Sequence, residues 1–195
     1  VKILIAVPTF ETITPECFSS IFDLDRDGMD VDFVSVKGYD CAIARNKIVE
    51  KSLKGQYDYT LMVDSDIVLP KSTLKTLLAD PAPIILGLYP KKLTTTHETN
   101  VFKDTGQDYK VRFTYDELPE EPRFQVKGGG FGCTLIHRDV LRDSRYPYFQ
   151  YVVYEYGAFL SEDLYFCTKA RELGYTIWAD SRIRCGHSVR VTKYD

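Results

Sequence analysis

Tyr59-Thr60-Leu61-Met62-Val63-Asp64-Ser65-Asp66 is an apolar run that stops at two carboxylates one residue apart. It is short, partly β-branched and aromatic, and soon followed by Pro70, so Leu61 to Val63 read as the end of a buried strand. Strands apolar throughout belong to parallel sheets covered on both faces. In an open α/β sheet, ligands bind in the crevice beyond the carboxyl ends of the strands, which puts Asp64 and Asp66 at the mouth of a site. Two neighbouring acids repel, and a hard divalent cation held between them removes that cost while leaving positions open for phosphate oxygens. A second reading stands beside this one. Asp after a strand caps the next helix or makes an Asx turn, and a helix start falls soon after, at Lys71.

Working outward, Lys2 to Val7 reads as a buried first strand that empties into Pro8-Thr9-Phe10-Glu11-Thr12. Thr14-Pro15-Glu16 gives an N-cap, an N1 proline and a dipole-matched acid, which predicts a helix to about Asp23. Val31 to Val36 alternates as a second strand. From Cys41 to Leu53 apolar residues recur at helical spacing, with Gly55 as the stop. Arg45 in the first turns of that helix is misplaced for the macrodipole, which suggests an anionic partner; an Arg snorkelling over the helix surface is the alternative. A helix from about Lys71 to Ala79 and a strand from Pro83 to Tyr89 continue the alternation. That rhythm predicts a parallel, doubly wound sheet.

After Pro90 the texture becomes polar, and Val101 to Lys103 with Lys110 to Thr114 fits a hairpin or an irregular excursion. Gly128-Gly129-Gly130-Phe131-Gly132 lets backbone approach a ligand closely or turn where no Cβ fits, and it matches neither a dinucleotide fingerprint nor a P-loop. Cys133 to Ile136 is apolar and leads into a short helix near Asp139 to Arg142. Ser161-Glu162-Asp163 opens a regular helix with Leu164, Cys167, Ala170 and Leu173 inward and Gly174 as the stop, so helix capping alone explains both acids. Tyr175 to Ala179 is a further strand, followed by Arg182 to His187.

With 195 residues, 44% apolar and 27% charged, the chain suits one well-buried domain, with or without a small annex. A net charge of −3 gives no sign of a general nucleic-acid binder. The tyrosines between Tyr146 and Tyr165 suit a core edge or a sugar or base site. Five widely spaced cysteines without a Cys-x-x-Cys read as small buried hydrophobes in a reducing compartment. No run is long enough to span a bilayer, and Val1 to Val7 is too short for a signal sequence, so a cytoplasmic protein is expected.

Taken in order, several of these pieces resemble a GT-A-type glycosyltransferase, particularly the inverting family-two group. They are a strand ending in Pro8-Thr9, the Ala44-Arg45-Asn46 helix, Asp64-Ser65-Asp66, the glycine run before an apolar strand, Ser161-Glu162-Asp163, and Gly186-His187. The resemblance covers nearly the whole chain. It implies an α/β GT-A fold, a Rossmann-like mostly parallel sheet flanked by helices, forming one catalytic domain over 1–195. Residues 1–90 would be its nucleotide-binding half and 91–195 its acceptor and metal-side half.

By the same resemblance Pro8, Thr9, Glu11, Asp40 and Arg45 face the nucleotide base and ribose. Asp66 ligates the cation, Asp64 assists through ribose or water, and His187 is the third metal-side residue. Gly129 and Gly130 lie on the acceptor side. Asp163 is the base with Glu162 beside it, their roles open to exchange; a helix N-terminus would keep Asp163 ionised. The implied cofactor is Mn²⁺ or Mg²⁺, with an imidazole ligand favouring Mn²⁺. The implied partners are a nucleotide-diphosphate sugar, UDP-sugar before GDP-sugar, and a hydroxyl on a glycan, lipid-linked or protein acceptor. The transferred group would be hexosyl or N-acetylhexosaminyl. Arg190 and Lys193 either reach the diphosphate or form a solvated tail.

No Gln-x-x-Arg-Trp of the processive members occurs, which favours single transfers. A retaining transferase would share the same nucleotide and metal machinery. Asp64-Ser65-Asp66-Ile67-Val68 also fits the nucleophile motif of haloacid-dehalogenase-type phosphatases, although the later Gly-Asp-x-x-x-Asp is missing. A catalytically silent nucleotide-sugar or glycan-binding domain is the remaining alternative, and it would gain if Asp163 pointed away from the cleft.

Overall fold

A computed structural model describes residues 1–91, 97–106, 109–155 and 159–188; Arg190 and Lys193 lie outside the described residues. Strand β1 (Lys2–Thr9) is followed by α1 (Pro15–Phe22), where the Thr14 side chain accepts from the Cys17 amide and Pro15 takes the first turn, as its sequence predicts. Strand β2 (Asp30–Lys37) runs parallel to β1 from Lys2↔Asp30 to Thr9↔Lys37. Helix α2 (Cys41–Lys54) starts at Asp40, whose carboxylate accepts from the Ile43 amide at 2.9 Å, and ends at Gly55. Strand β3 (Tyr59–Val63) is parallel to β1 on its other side. Thr9, Lys37 and Val63 therefore finish on one edge, where the loops carrying the polar motifs collect.

There follow β4 (Ile67–Val68), α3 (Thr73–Leu78), β5 (Ile84–Leu88), β6 (Glu98–Phe102), β7 (Arg112–Thr114), β8 (Arg123–Val126) and β9 (Gly128–Gly129). Then come β10 (Cys133–His137), α4 (Arg138–Ser144), β11 (Val152–Val153), β12 (Phe159–Leu160), α5 (Glu162–Glu172), β13 (Ile177–Arg184) and β14 (Gly186–His187). The main sheet has the order β2-β1-β3-β10-β5-β13-β8. It is mostly parallel, with two reversals that the sequence rhythm did not predict. Strand β10 is antiparallel to both β3 and β5, and β8 is antiparallel to β13. The first reversal has a local cause. The Asp64 amide donates to the Gly132 carbonyl at 3.1 Å, and Cys133 pairs with Val63, so β10 enters at the carboxyl end of β3 and can only run back along it.

Both faces of the sheet are covered. Leu4, Ala6 and Met62 point to a layer containing Ile48 of α2, Leu141 of α4 and Phe166 of α5. Ile3, Ile5 and Leu61 point the other way, onto Ile21 of α1 and Leu74 and Leu77 of α3. This period-two division along β1 and β3 is why their apolar residues run without polar interruption. Leu173, expected inward, is 48% exposed, and Phe166 takes the buried place on α5 instead. Three of the clustered tyrosines, Tyr146, Tyr151 and Tyr154, are exposed. All five cysteines are free and four are buried, as expected of small hydrophobes. Among the described residues no helix is long and apolar enough to cross a membrane.

Two small ladders finish the cleft wall. In the order β7-β6-β9, the polar excursion forms an antiparallel sheet with the first two glycines of the run. Pairing of β14 with β4 sets His187 opposite Ile67, which brings the late histidine to the loop bearing Asp66.

Candidate active site

A cleft of about 520 Å³ opens over the carboxyl ends of β1, β2 and β3. It gathers residues remote in sequence: Pro8, Thr9, Asp40 and Arg45 from the first half, Asp64 and Asp66 from the middle, and Gly130, Glu162, Asp163 and His187 from the second half. Glu11 is exposed in the loop just past Thr9 and does not line the cleft. Gly129 lies behind the wall, where an added Cβ would come within 2.9 Å of the Asn100 carbonyl, Leu86 and Val101.

Arg45 is the hub of this arrangement. Its side chain, 2% exposed, does not snorkel outward; it turns beneath the cleft between the Phe131 and Phe149 rings. One end donates to Asp64 Oδ1 at 2.8 Å, and Nε stands 3.3 Å from Glu162 Oε1. A guanidinium suits this place because its fork can hold two carboxylates in fixed directions. Burial opposes the charge, but Cys41, Asp64 and Glu162 outweigh that and push its pKa up. The anionic partner implied by the odd position of Arg45 is thus supplied by the protein itself. Its neighbour Asn46 is equally committed, donating to the Ala42 and Phe149 carbonyls and accepting from the Tyr148 and Phe149 amides.

The two acids after β3 differ. Burial pushes Asp64 upward against the pull of Arg45, and one of its oxygens is already taken. Asp66 faces the imidazole of His187, with Oδ1 at 3.5 Å from Nε2. On the other side of that ring Nδ1 lies 2.8 Å from the Pro90 carbonyl, an acceptor only, so Nδ1 carries a proton and donates. In the neutral ring this leaves the Nε2 lone pair directed toward Asp66. A backbone carbonyl that fixes the tautomer in this way is the usual support of a metal-binding histidine. The Ser188 amide also donates to the Asp66 carbonyl at 2.8 Å, closing the loop around the pair. Among the described residues no group of three or more His, Cys, Asp or Glu could hold a metal, so a cation here would have at most two such protein donors and would take its remaining ligands from elsewhere.

The second acid pair sits across the cleft at the start of α5. Glu162 is 6% exposed and tied to Arg45. Asp163 uses Oδ1 to accept from the Ser161 hydroxyl and, at 2.8 Å, from the Leu164 amide. Its Oδ2 turns toward Gly130, 3.5 Å from where a Cβ there would sit. Burial, and then the Glu162 charge, push the Asp163 pKa up to about 6. Helix position alone suggests the opposite, an acid kept ionised; desolvation wins because the N-terminal turn is sunk into the cleft wall. Glycine at 130 is needed for a steric reason, since a Cβ would fall 2.3 Å from the Tyr89 hydroxyl. The Gly132 amide donates to that hydroxyl at 3.1 Å. None of the glycines from 128 to 132 has positive φ, so the run serves close approach, and the turn at Phe131–Gly132 is made without a left-handed residue.

Several lining residues were not singled out in the sequence: Phe10 and Tyr39 at one end, and Tyr89, Lys91, Asn100 and Arg112 at the other. For the first two a signal existed. Both are aromatic residues just past a strand's carboxyl end, and both remain exposed.

No protein-family model matches the chain, and no curated protein does. Solved structures do share its fold. A197 from STIV aligns at TM-score 0.69 and 18% identity over 97% of this chain and 87% of that one. S. aureus TarS 1-349 in complex with UDP-GlcNAc aligns at 0.59 and 16% identity over 99% of this chain. The mannosyltransferase PcManGT from Pyrobaculum calidifontis, in complex with GDP-Man and Mn²⁺, gives the same TM-score and identity over 99% of this chain. The chain spans 60% of the TarS structure and 58% of PcManGT. The fold is therefore of the GT-A glycosyltransferase type: a mixed α/β layer structure with a central, largely parallel sheet.

Proposed function

We propose that the chain is a metal-assisted glycosyltransferase that moves a sugar, with inversion and in single transfers, from a nucleotide-diphosphate donor to an acceptor hydroxyl. The observation that carries this reading is the meeting of Asp66 and His187 with Asp163 in one cleft, from three separate parts of the chain. We assign 1–90 the nucleotide side and the remainder the acceptor and metal side of a single catalytic domain. UDP-sugars are the favoured donors, with GDP-sugars as the second choice; TarS and PcManGT carry one of each.

Phe10 and Tyr39 offer ring faces to the base, while Asp40, Thr9 and Asp64 border the ribose. Arg45 acts beneath them as a positioning residue, because its donors are taken by Asp64 and Glu162. Asp66 and His187 would hold the cation, and one carboxylate with one oriented imidazole would suit Mn²⁺ in preference to Mg²⁺. Bound there, the cation supplies charge neutralisation for a diphosphate leaving group.

Asp163 Oδ2 is the atom free to take the acceptor hydroxyl's proton as the new bond to the anomeric carbon forms. The bond from that carbon to the diphosphate oxygen breaks with its electron pair on the leaving group. A base with pKa about 6 is ionised at neutral pH yet basic enough to accept the proton. Glu162, tied to Arg45, stands beside the base and is assigned no proton transfer.

The GT-A fold gives the phosphatase alternative no support. A silent binding domain would not need Asp163 turned into the cleft, where it is found. A thermal-shift panel of UDP, GDP, CDP and dTDP sugars with and without Mn²⁺ tests the proposal. Stabilisation that needs the cation and vanishes in Asp66→Ala is expected; no response to any nucleoside diphosphate would overturn it.

A further inference from the structure

Arg112 has an environment that the chemistry above does not use. It stands on β7, lines the cleft and lies on the Phe102 ring, with Cζ 3.9 Å from the centroid. Its one protein hydrogen bond among the described residues is from Nη1 to the Thr99 carbonyl at 3.3 Å. No carboxylate of the described residues lies within ion-pair distance of it. Burial pulls its pKa down, so its charge is desolvated without full compensation. Glu98, the nearest acid on the neighbouring strand, pairs instead with Lys91 at 3.6 Å, and Lys91 lines the same wall. Arg45 makes the contrast plain, because that buried guanidinium has two carboxylates of its own. A stacked, partly desolvated guanidinium with one donor on a carbonyl and no carboxylate partner among the described residues is preorganised for a planar or tetrahedral anion.

We propose that Arg112 selects a sugar substrate bearing a carboxylate or phosphate group. This rests on the transferase reading of the cleft. Arg112 and Asp163 line the same cleft, so an anion held by the guanidinium is part of a substrate that also reaches the base. The same chemistry can arrive on the transferred sugar, as a uronic acid, or on the acceptor.

The test compares matched pairs in the presence of Mn²⁺. The donor arm sets UDP-glucuronate against UDP-glucose and GDP-mannuronate against GDP-mannose. The acceptor arm adds, to protein saturated with UDP or GDP, disaccharides ending in glucuronate or glucose 6-phosphate against the same disaccharides ending in glucose. Wild type should bind the anionic member at least about tenfold more tightly in one arm, and that arm identifies the source. Arg112→Gln should abolish the preference while leaving UDP or GDP affinity within about twofold, and Arg112→Lys should keep part of it. Equal affinity for both members in both arms, or a preference that survives in Arg112→Gln, would overturn the assignment. Loss of all nucleotide binding in wild type is a separate result, and it would sink the transferase reading instead.

Discussion

The cleft holds two acid pairs of the same charge, one at the end of β3 and one at the start of α5, and their surroundings make them different reagents. Asp64 and Asp66 each face a basic group, Arg45 and His187 respectively. Across the cleft Glu162 shares Arg45, whereas Asp163 is left with the Ser161 hydroxyl, a backbone amide and one uncommitted oxygen aimed at Gly130. The pair after the strand is set against two basic side chains, with burial working against the Asp64 charge. The pair on the helix divides into an acid tied to Arg45 and one whose pKa burial raises. Motif spelling alone shows two acidic dyads; partner allocation is what separates the roles.

The largest effect should come from the titrating acid. Asp163→Asn is expected to cut turnover by about 10²–10⁴-fold, the usual worth of a positioned base, with donor affinity within about twofold of wild type by calorimetry. Equal losses in binding and turnover would erase the proposed distinction between the pairs. Next comes the link between them. Arg45→Met leaves Asp64 and the buried Glu162 without their shared cation and should cost about 3 kcal/mol in chemical denaturation. A neutral result would mean that the two pairs are independent. His187→Ala should weaken cation-dependent donor binding by roughly 10- to 100-fold while leaving cation-free nucleotide binding alone.

The smallest and most discriminating effect is in pH. Turnover should fall about tenfold per unit below about pH 6, as Asp163 takes up its proton, and Asp163→Asn should lose that limb along with most of its activity. Stability moves the other way. Because the folded-state pKa is raised above its ordinary value, folded protein binds more protons than unfolded protein between about pH 4 and 6, and the Asp163 charge costs stability above that window. Asp163→Asn should therefore melt higher than wild type at pH 7.5, with the gain shrinking as pH falls toward 4. A lower melting temperature at neutral pH would show that the carboxylate is held by its bonds and not strained by burial.

What could be read in advance was whatever is written locally. Thr14-Pro15, Asp40 and Gly55 mark helix ends by short-range bonding, and the unbroken apolar runs of β1, β3 and β5 mark strands buried on both faces. The direction of β10 was not legible, because it depends on the Asp64 amide meeting Gly132 across nearly seventy residues. Arg45 was visible as a misfit, but its partners Asp64 and Glu162 are 19 and 117 positions away. For Asp163 the position on the helix was right and the inferred electrostatics were not, since sequence shows the dipole and hides the burial that outweighs it. Arg112 carries no motif at all; only the pairing of Phe102 with Arg112 across β6 and β7 reveals a cation stacked on a ring inside the cleft.

The central claim, that one cation is held between Asp66 and His187 beneath a diphosphate, is open to a direct test because the chain has only three histidines. His137 pairs with Tyr59 at the far end of β3, and His97 is exposed beside Asp116. Proton NMR of the imidazole signals, assigned with His187→Gln, should show His187 broadened first and most when Mn²⁺ is titrated in the presence of UDP or GDP, and much less without nucleotide. Uniform broadening of all three signals, or a His187 line untouched by Mn²⁺ and nucleotide together, would contradict it.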